Sequence, residues 1–253
     1  MRRERVLSAP VTWGVSRRLG RPAHGLKHLL STTLLTCALV GAVTSQASAS
    51  QRTTRLPHVV VVGDSITQLA APSIQAALGA RYQAVLVYKD GQRIDQMLPP
   101  LDLALTQHAP VFAVVENLGT NDAKEGGRIV DWRASWKRLL SSTDKVSCVV
   151  LTTVNLTADY IGNAKVAHSI NRDIEDLAAS DPTRYKVVPW LGFLTMTWKK
   201  HRSTFPDYMY GDIIHERPAG ARWLAQEDRA ALGDCGSSAQ PSMILPNKHL
   251  LDP

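Results

Sequence analysis

The sequence has few cysteines, no apolar run long enough for a membrane span, and almost no net charge outside its first 49 residues. The apolar stretch 29–43 has about fifteen residues, whereas a spanning helix needs about twenty. The formal charge is +7, but the first 49 residues carry seven basic residues and one acidic residue, so the remainder is close to +1. We therefore predict no nucleic-acid partner, since such partners are held by clusters of basic residues.

Of the three cysteines, only Cys148 and Cys235 lie outside the apolar stretch. Two lone cysteines cannot complete a structural metal site, and no further cluster of His or carboxylate residues has ligand spacing. We therefore predict no metal and no cofactor. The sequence also contains no internal repeat and no low-complexity segment.

The first 49 residues have the organisation of a secretory signal peptide. Seven basic residues precede the apolar stretch, and the small residues Ala47-Ser48-Ala49 follow it. We predict cleavage near Ala49, secretion, and no stable membrane insertion afterwards; an uncleaved N-terminal anchor is the alternative. Residues 50–253 are then long enough for a single domain, with a core over about 58–232.

Short apolar runs alternate with helical patterns along this domain. The pattern predicts five strands at 58–62, 82–88, 110–116, 146–153 and 185–190. It predicts helices at 71–80, with Pro72 in the first turn, at 93–108, broken at Pro99-Pro100, and at 129–140, 164–179 and 218–232. Residues 191–211 are predicted to be irregular. This alternation is typical of a parallel sheet covered by helices on both faces.

Chemically useful groups follow the first three predicted strands. Ser65 comes after the first strand, Gly91 after the second, and Asn121 after the third. In open α/β sheets, ligands bind beyond the carboxyl ends of the strands, so Ser65 is a candidate nucleophile there. A simple turn built from Gly, Asp and Ser is the alternative for Ser65.

Asp212 and His215 lie just before the last predicted helix. Their spacing lets the Asp212 carboxylate reach Nδ1 of His215 and leaves Nε2 free to accept a proton from a serine. The pair could also be half of a metal site, although no further ligands accompany it.

Four segments together resemble the SGNH (GDSL) hydrolases. They are Gly63-Asp64-Ser65-Ile66-Thr67, Asp90-Gly91-Gln92, Gly119-Thr120-Asn121-Asp122, and Asp212-Ile213-Ile214-His215 with Pro218-Ala219-Gly220 after it. They occur in the family's order and span about 58–232.

The resemblance implies a flavodoxin-like α/β/α sandwich and ester hydrolysis. Ser65 would be the nucleophile, His215 the general base and then acid, and Asp212 would orient His215. The oxyanion hole would consist of the Ser65 and Gly91 N–H groups and the Asn121 side chain. In this family an open loop replaces the sharp G-x-S-x-G turn, which is absent here. Asp64 and Asp122 are assigned structural roles.

Several alternatives share these residues. A carbohydrate O-acetylesterase or acyltransferase would use the same site, and a cell-surface binding module could keep the fold without the chemistry. The predicted partner is a small-molecule or glycan ester, and the predicted state is a monomer. Trp132 and Trp136 are predicted to be core. One or two aromatic residues upstream of His215 are predicted to line an acyl or sugar pocket; the candidates are Trp190, Trp198, Phe205, Tyr208 and Tyr210.

A disulfide between Cys148 and Cys235 is also predicted. Cys148 lies near the start of the fourth strand, and a last helix running antiparallel to the strands would bring Cys235 to the same edge of the sheet. An oxidising compartment would permit the bond. Two separate thiols are the alternative.

Overall fold

A computed structural model describes residues 55–125, 131–155, 164–201 and 203–236. Within them, five parallel strands form one sheet in the order β2-β1-β3-β4-β5, which is the flavodoxin-like order. The predicted α/β fold with a five-stranded parallel sheet is therefore confirmed. Residues 1–49, which the sequence predicts to be a signal peptide, lie outside the described residues. The elements are β1 (His58–Gly63), α1 (Ser65–Leu78), β2 (Gln83–Tyr88), α2 (Ile94–Gln107), β3 (Val111–Asn117), α3 (Thr120–Glu125), α4 (Trp132–Ser142), β4 (Cys148–Thr152), α5 (Ala164–Ser180), β5 (Tyr185–Val188), α6 (Trp190–Lys200), α7 (Phe205–Tyr208) and α8 (Pro218–Gly233).

Strand β1 separates two apolar cores, and all of its residues are buried. Val60 and Val62 pack into the core that residues of α2 to α5 complete. Val59 and Val61 pack into the core on the other face, with residues of α1 and of α6 to α8. Burial on both faces explains why this strand is a continuous apolar run. The strands share one direction, so the sheet has a carboxyl edge, where the strands end, and an amino edge, where they begin.

Two helices differ from the prediction because their prolines are tolerated. Helix α1 begins at Ser65, so Pro72 lies inside it, and α2 continues through Pro99 and Pro100. A proline within a helix leaves the carbonyl four residues earlier without its partner. Pro72 and the residue four before it, Gln68, are both exposed, as is Pro99. Because these positions lie at the surface of the helices, water can hydrate the released carbonyl groups.

The prediction that residues 191–211 are irregular is wrong. This stretch contains most of α6 and all of α7, and the buried positions of α6 follow helical spacing. Trp190 and Phe205 are buried in the second core, so both have packing roles. Trp198 and Tyr210 are exposed. Trp132 and Trp136 are buried in the first core, as predicted.

The disulfide between Cys148 and Cys235 is present, with the Cα atoms 5.7 Å apart. It joins the start of β4 to the residues that follow α8, which confirms the predicted meeting of the two cysteines at the amino edge. In the part of the chain that the structure describes, no helix is long and apolar enough to cross a membrane.

Candidate active site

Ser65 lies where β1 turns directly into α1. Gly63 ends the strand, and a Cβ added there would collide with the Thr67 hydroxyl. Asp64 caps the helix by accepting a hydrogen bond from the Ile66 N–H at 3.0 Å. Ser65 is therefore the first residue of a helix, where N–H groups have no partner within the helix and the helix dipole is positive.

A chain of hydrogen bonds links Ser65 to His215 and Asp212. Nε2 of His215 lies 2.9 Å from the Ser65 hydroxyl, and Nδ1 lies 2.6 Å from Oδ2 of Asp212. With its proton on Nδ1, the His215 ring donates a hydrogen bond to the carboxylate, and Nε2 is left free to accept the hydroxyl proton. The side chains of His215 and Asp212 are each about one-third exposed, at 33% and 36%. The structure thus brings together the three residues that the sequence singled out from two distant segments.

The Asp212 carboxylate also holds the backbone of its own turn. Its Oδ1 accepts hydrogen bonds from the N–H groups of Ile214, at 3.1 Å, and His215, at 3.0 Å. Partial burial acts to raise the pKa of Asp212, but the hydrogen bonds from the His215 ring and from these two N–H groups outweigh it, so the pKa is lowered. Asp212 is therefore held as an anion beside the imidazole.

Asn121 lies at the start of α3, which follows β3. Its side-chain amide donates to Oδ2 of Asp64 at 2.9 Å and to the Gln92 carbonyl at 3.0 Å. Asp64 precedes Ser65 and Gln92 follows Gly91, so Asn121 connects the two segments that carry the other predicted oxyanion donors. To serve a third acceptor, Asn121 must share or exchange one of these hydrogen bonds.

Gly91 is exposed and has a φ of +68°, a left-handed conformation that favours glycine. A Cβ added there would meet no atom within 4 Å, so the requirement is conformational and not steric. The loop that carries Gly91 is attached to the end of β1 by a hydrogen bond from the Lys89 N–H to the Gly63 carbonyl, at 3.3 Å.

Contacts between α2 and α3 support this loop. Oδ2 of Asp122 accepts from the Ile94 N–H at 3.1 Å, which agrees with the structural role expected for Asp122. Arg93 donates through Nη1 to both oxygens of Glu125, at 3.1 and 3.0 Å, and binds Asp95 through Nε. These contacts were not apparent from the sequence, because they depend on how α2 and α3 are placed relative to each other.

Buried carboxyl groups lie close to Asp64, the residue before Ser65. Burial raises the pKa of Asp64 to about 7 and that of Glu216 to about 9, and it raises the pKa of Glu116 well above its usual range. The carboxyl groups also repel one another, since Asp64 contributes to the shifts of both Glu116 and Glu216. A raised pKa favours the neutral form of a carboxyl group, so burial limits the negative charge close to Asp64. Among the described residues, no group of three or more His, Cys, Asp or Glu side chains could hold a metal ion.

Asn155 is a polar residue near the site that the sequence motifs did not indicate. It follows β4 and is fully buried, and its side-chain amide donates to the carbonyl of Ile213 at 2.7 Å. Ile213 lies between Asp212 and His215 and has a φ of 54°. The sequence shows that Asn155 is a polar residue shortly after a strand. It does not show that the Asn155 side chain reaches the turn between Asp212 and His215.

Solved structures with similar folds share this architecture. One is the C-terminal catalytic domain of a peptidoglycan O-acetyltransferase from Streptococcus pneumoniae: TM-score 0.54, 16% identity, covering 70% of this chain and 93% of the other. A lipase/acylhydrolase from Enterococcus faecalis has a TM-score of 0.53 and 15% identity, and the match covers 68% of this chain and 94% of the other. TesA has a TM-score of 0.53 and 21% identity, and the match covers 69% of this chain and 97% of the other.

The chain has the SGNH hydrolase fold. The resemblance carried by the four sequence segments is thus confirmed at the level of the fold. No family model and no curated protein sequence matches the chain. At these identities the likeness concerns the fold, so the chemistry has to be argued from the residues of this chain.

Proposed function

We propose that the protein is a secreted serine esterase that cleaves carboxylic esters through an acyl-enzyme. The hydrogen-bonded chain from Ser65 through His215 to Asp212 carries this proposal. It has the donor and acceptor order of a catalytic triad. The fold adds support, because Ser65 follows a central strand of the sheet, where sheets of this type bind ligands.

In the proposed acylation, the Ser65 oxygen attacks the ester carbonyl while Nε2 of His215 takes the hydroxyl proton. The N–H groups of Ser65 and Gly91 and the Asn121 amide stabilise the oxyanion of the tetrahedral intermediate. His215 then gives its proton to the leaving alkoxide, and the alcohol departs. Water activated by His215 attacks the acyl-enzyme in the same manner, which releases the acid and restores Ser65.

Two observations support export. The first 49 residues have the pattern of a signal peptide, and the disulfide between Cys148 and Cys235 is a bond that persists in oxidising compartments. Recovery of the protein from the culture medium, with an N-terminus near residue 50, is the expected result.

A fluorophosphonate probe tests the esterase proposal, because it reacts with activated serines. The wild-type protein should be labelled and should hydrolyse aryl esters. Ser65→Ala should lose both properties while its circular dichroism spectrum stays unchanged. His215→Ala should lose turnover to a similar extent, by about 10⁴-fold or more, since nucleophile and base act as a unit. A folded Ser65→Ala protein with wild-type turnover would refute the proposal.

A carbohydrate O-acetylesterase or acyltransferase is the second candidate. The fold that the chain shares with the catalytic domain of the peptidoglycan O-acetyltransferase favours it. His215 and Asp212 are also partly exposed, so an acceptor alcohol could reach the acyl-enzyme in place of water. Acetylated glycans should be compared with aryl acetates as substrates, and transfer to an added glycan should be measured beside release of acetate. If the protein bound a polysaccharide but did not react with the fluorophosphonate probe, a binding module without catalytic activity would be favoured instead.

A further inference from the structure

Ile213 is the only non-glycine residue with a positive φ in the described part of the chain, at 54°. Left-handed backbone is unfavourable for a β-branched side chain, because its Cβ crowds the following carbonyl oxygen. Such conformations persist only when surrounding contacts hold them. Ile213 connects Asp212 to Ile214 and His215, so its backbone determines how the carboxylate faces the imidazole.

The conformation of Ile213 allows Asp212 to close its turn. With Ile213 left-handed, the N–H groups of Ile214 and His215 both point at Oδ1 of Asp212, while Oδ2 faces the His215 ring. The turn is also closed by the Ile213 N–H, which donates to the Tyr210 carbonyl at 3.0 Å. A change to an ordinary φ would rotate the carboxylate away from these three partners.

Asn155 binds the carbonyl group of the peptide between Ile213 and Ile214, whose N–H group faces Asp212. Its amide donates to the Ile213 carbonyl at 2.7 Å, and its side chain is fully buried. The Asn155 backbone follows a segment fixed by Asn171 of α5, which accepts from the Val154 N–H at 2.7 Å and donates to the Val154 carbonyl at 2.9 Å. Asn155 is therefore presented by a rigid strand end, and its burial argues against direct contact with substrate.

We propose that Asn155 is a positioning residue, whose hydrogen bond to the Ile213 carbonyl keeps the turn left-handed and thereby sets the contact between Asp212 and His215. This inference rests on the proposed function of His215 as the general base.

The test uses Asn155→Ala, with kinetics on an aryl acetate. The variant should lower kcat by about tenfold, since small displacements of catalytic groups cost rates of this order, and KM should change less than twofold. The acid limb of the kcat profile should move to lower pH, because a displaced Asp212 stabilises the imidazolium less. Hydrogen exchange at the Ile214 and His215 amides should be faster, and this readout does not depend on catalysis.

The variant Ile213→Gly provides the decisive comparison, because glycine adopts positive φ without the crowding of a Cβ. In that background Asn155→Ala should cost less than about threefold in kcat. An equal loss in both backgrounds would overturn the inference, as would a wild-type kcat in Asn155→Ala or a change confined to KM.

Thr143→Val is the matched control. Thr143 is fully buried near the amino edge, and its hydroxyl donates to the Leu140 carbonyl at 2.8 Å, so the variant also loses a buried side-chain hydrogen bond. It should lower stability and leave kcat and its pH profile unchanged. If Thr143→Val lowers kcat as much as Asn155→Ala, the effect is one of general stability and the inference is wrong. Wild-type turnover in Ser65→Ala would instead refute the proposed function, and amide exchange would still report on the turn.

Discussion

The two edges of the sheet have different kinds of contact. At the amino edge, a disulfide joins Cys148 to Cys235, and the His58 ring is fixed between the His108 carbonyl, at 2.6 Å, and Gln83, at 3.0 Å. These contacts tie distant parts of the chain together. At the carboxyl edge, the chain instead contains a left-handed isoleucine and a group of buried carboxyls.

The carboxyl edge retains polar groups that folding alone would disfavour. Side chains there with a buried oxygen lacking a hydrogen-bond partner include Thr67, Glu116, Asp122 and Glu216. Leaving such groups buried costs stability. Under the proposed function, we expect the contacts at the amino edge mainly to stabilise the fold and those at the carboxyl edge mainly to maintain the arrangement that catalysis uses. Substitutions at the amino edge should therefore change stability with little effect on kcat, whereas substitutions of the proposed catalytic and oxyanion groups at the carboxyl edge should mainly change kcat.

The largest expected effect on stability comes from removing the disulfide. The double variant Cys148→Ser/Cys235→Ser opens a loop between cysteines separated by 87 residues, and the chain-entropy model gives a loss of roughly 4.6 kcal/mol. Urea unfolding measures this loss, with the reduced wild-type protein as a second sample. The specific activity of the folded fraction should be unchanged, because the bond lies at the edge opposite Ser65. A drop in kcat without a drop in stability would contradict the division between edges.

Asn121→Ala should have the opposite signature. If the Asn121 amide serves the oxyanion, kcat falls by about 10²–10³-fold with little change in KM, since the donor acts mainly in the transition state. Steady-state kinetics on aryl esters measure both constants. An effect on KM alone would make Asn121 a substrate-binding residue. Activity should persist in EDTA, and its loss there would favour metal chemistry.

The sequence was sufficient to predict the sheet and to select Ser65, Asp212 and His215. The strands are continuous apolar runs, and the Asp212–His215 pair is local in sequence, so both leave clear patterns. The sequence does not predict α6, because the aromatic residues upstream of His215 also suit an irregular segment that lines a pocket. The contacts of Asn155 and of the Gln92 carbonyl join residues far apart in the chain, and a single sequence carries no signal for them.

Glu216 should make stability depend on pH. Its pKa is about 9 in the folded protein, chiefly because it is buried, against an ordinary value of 4.5. Between these values the folded protein holds a proton that the unfolded chain has released. The stability contributed by this proton is fully present below about pH 4.5 and is lost as the pH rises towards 9.

Glu216→Gln tests this dependence, because the amide does not ionise. Between pH 6 and 9 the wild-type protein should lose stability, and the variant should lose less by about 3 kcal/mol, since each pH unit between the two pKa values contributes about 1.4 kcal/mol. Urea unfolding at several pH values measures both slopes. If the free energy of unfolding fell equally with pH in both proteins, ionisation of Glu216 would not be the cause.

The smallest expected effect concerns Glu125, which joins α3 to the loop that carries Gly91 through its ion pair with Arg93. The Arg93 and Glu125 side chains are 13% and 30% exposed, so the pair contributes modestly to holding the loop against α3. Glu125→Gln should lower kcat by about two- to fivefold, and the effect should nearly disappear in the Asn121→Ala background, if the pair acts by placing Asn121 relative to the loop.

The amino edge offers a matched control for this ion pair. Arg184 and Asp144 form a longer pair at 3.7 Å, and the Asp144 side chain is 70% exposed. Asp144→Asn removes one charge, as Glu125→Gln does, but at the edge remote from Ser65, so kcat should stay unchanged. If the two variants lowered kcat equally, the loss of one negative charge would explain the result wherever the charge lies. The ion pair between Arg93 and Glu125 would then have no specific role at the carboxyl edge. A loss confined to Glu125→Gln would mean that the ion pair between Arg93 and Glu125 contributes to catalysis because of where it lies.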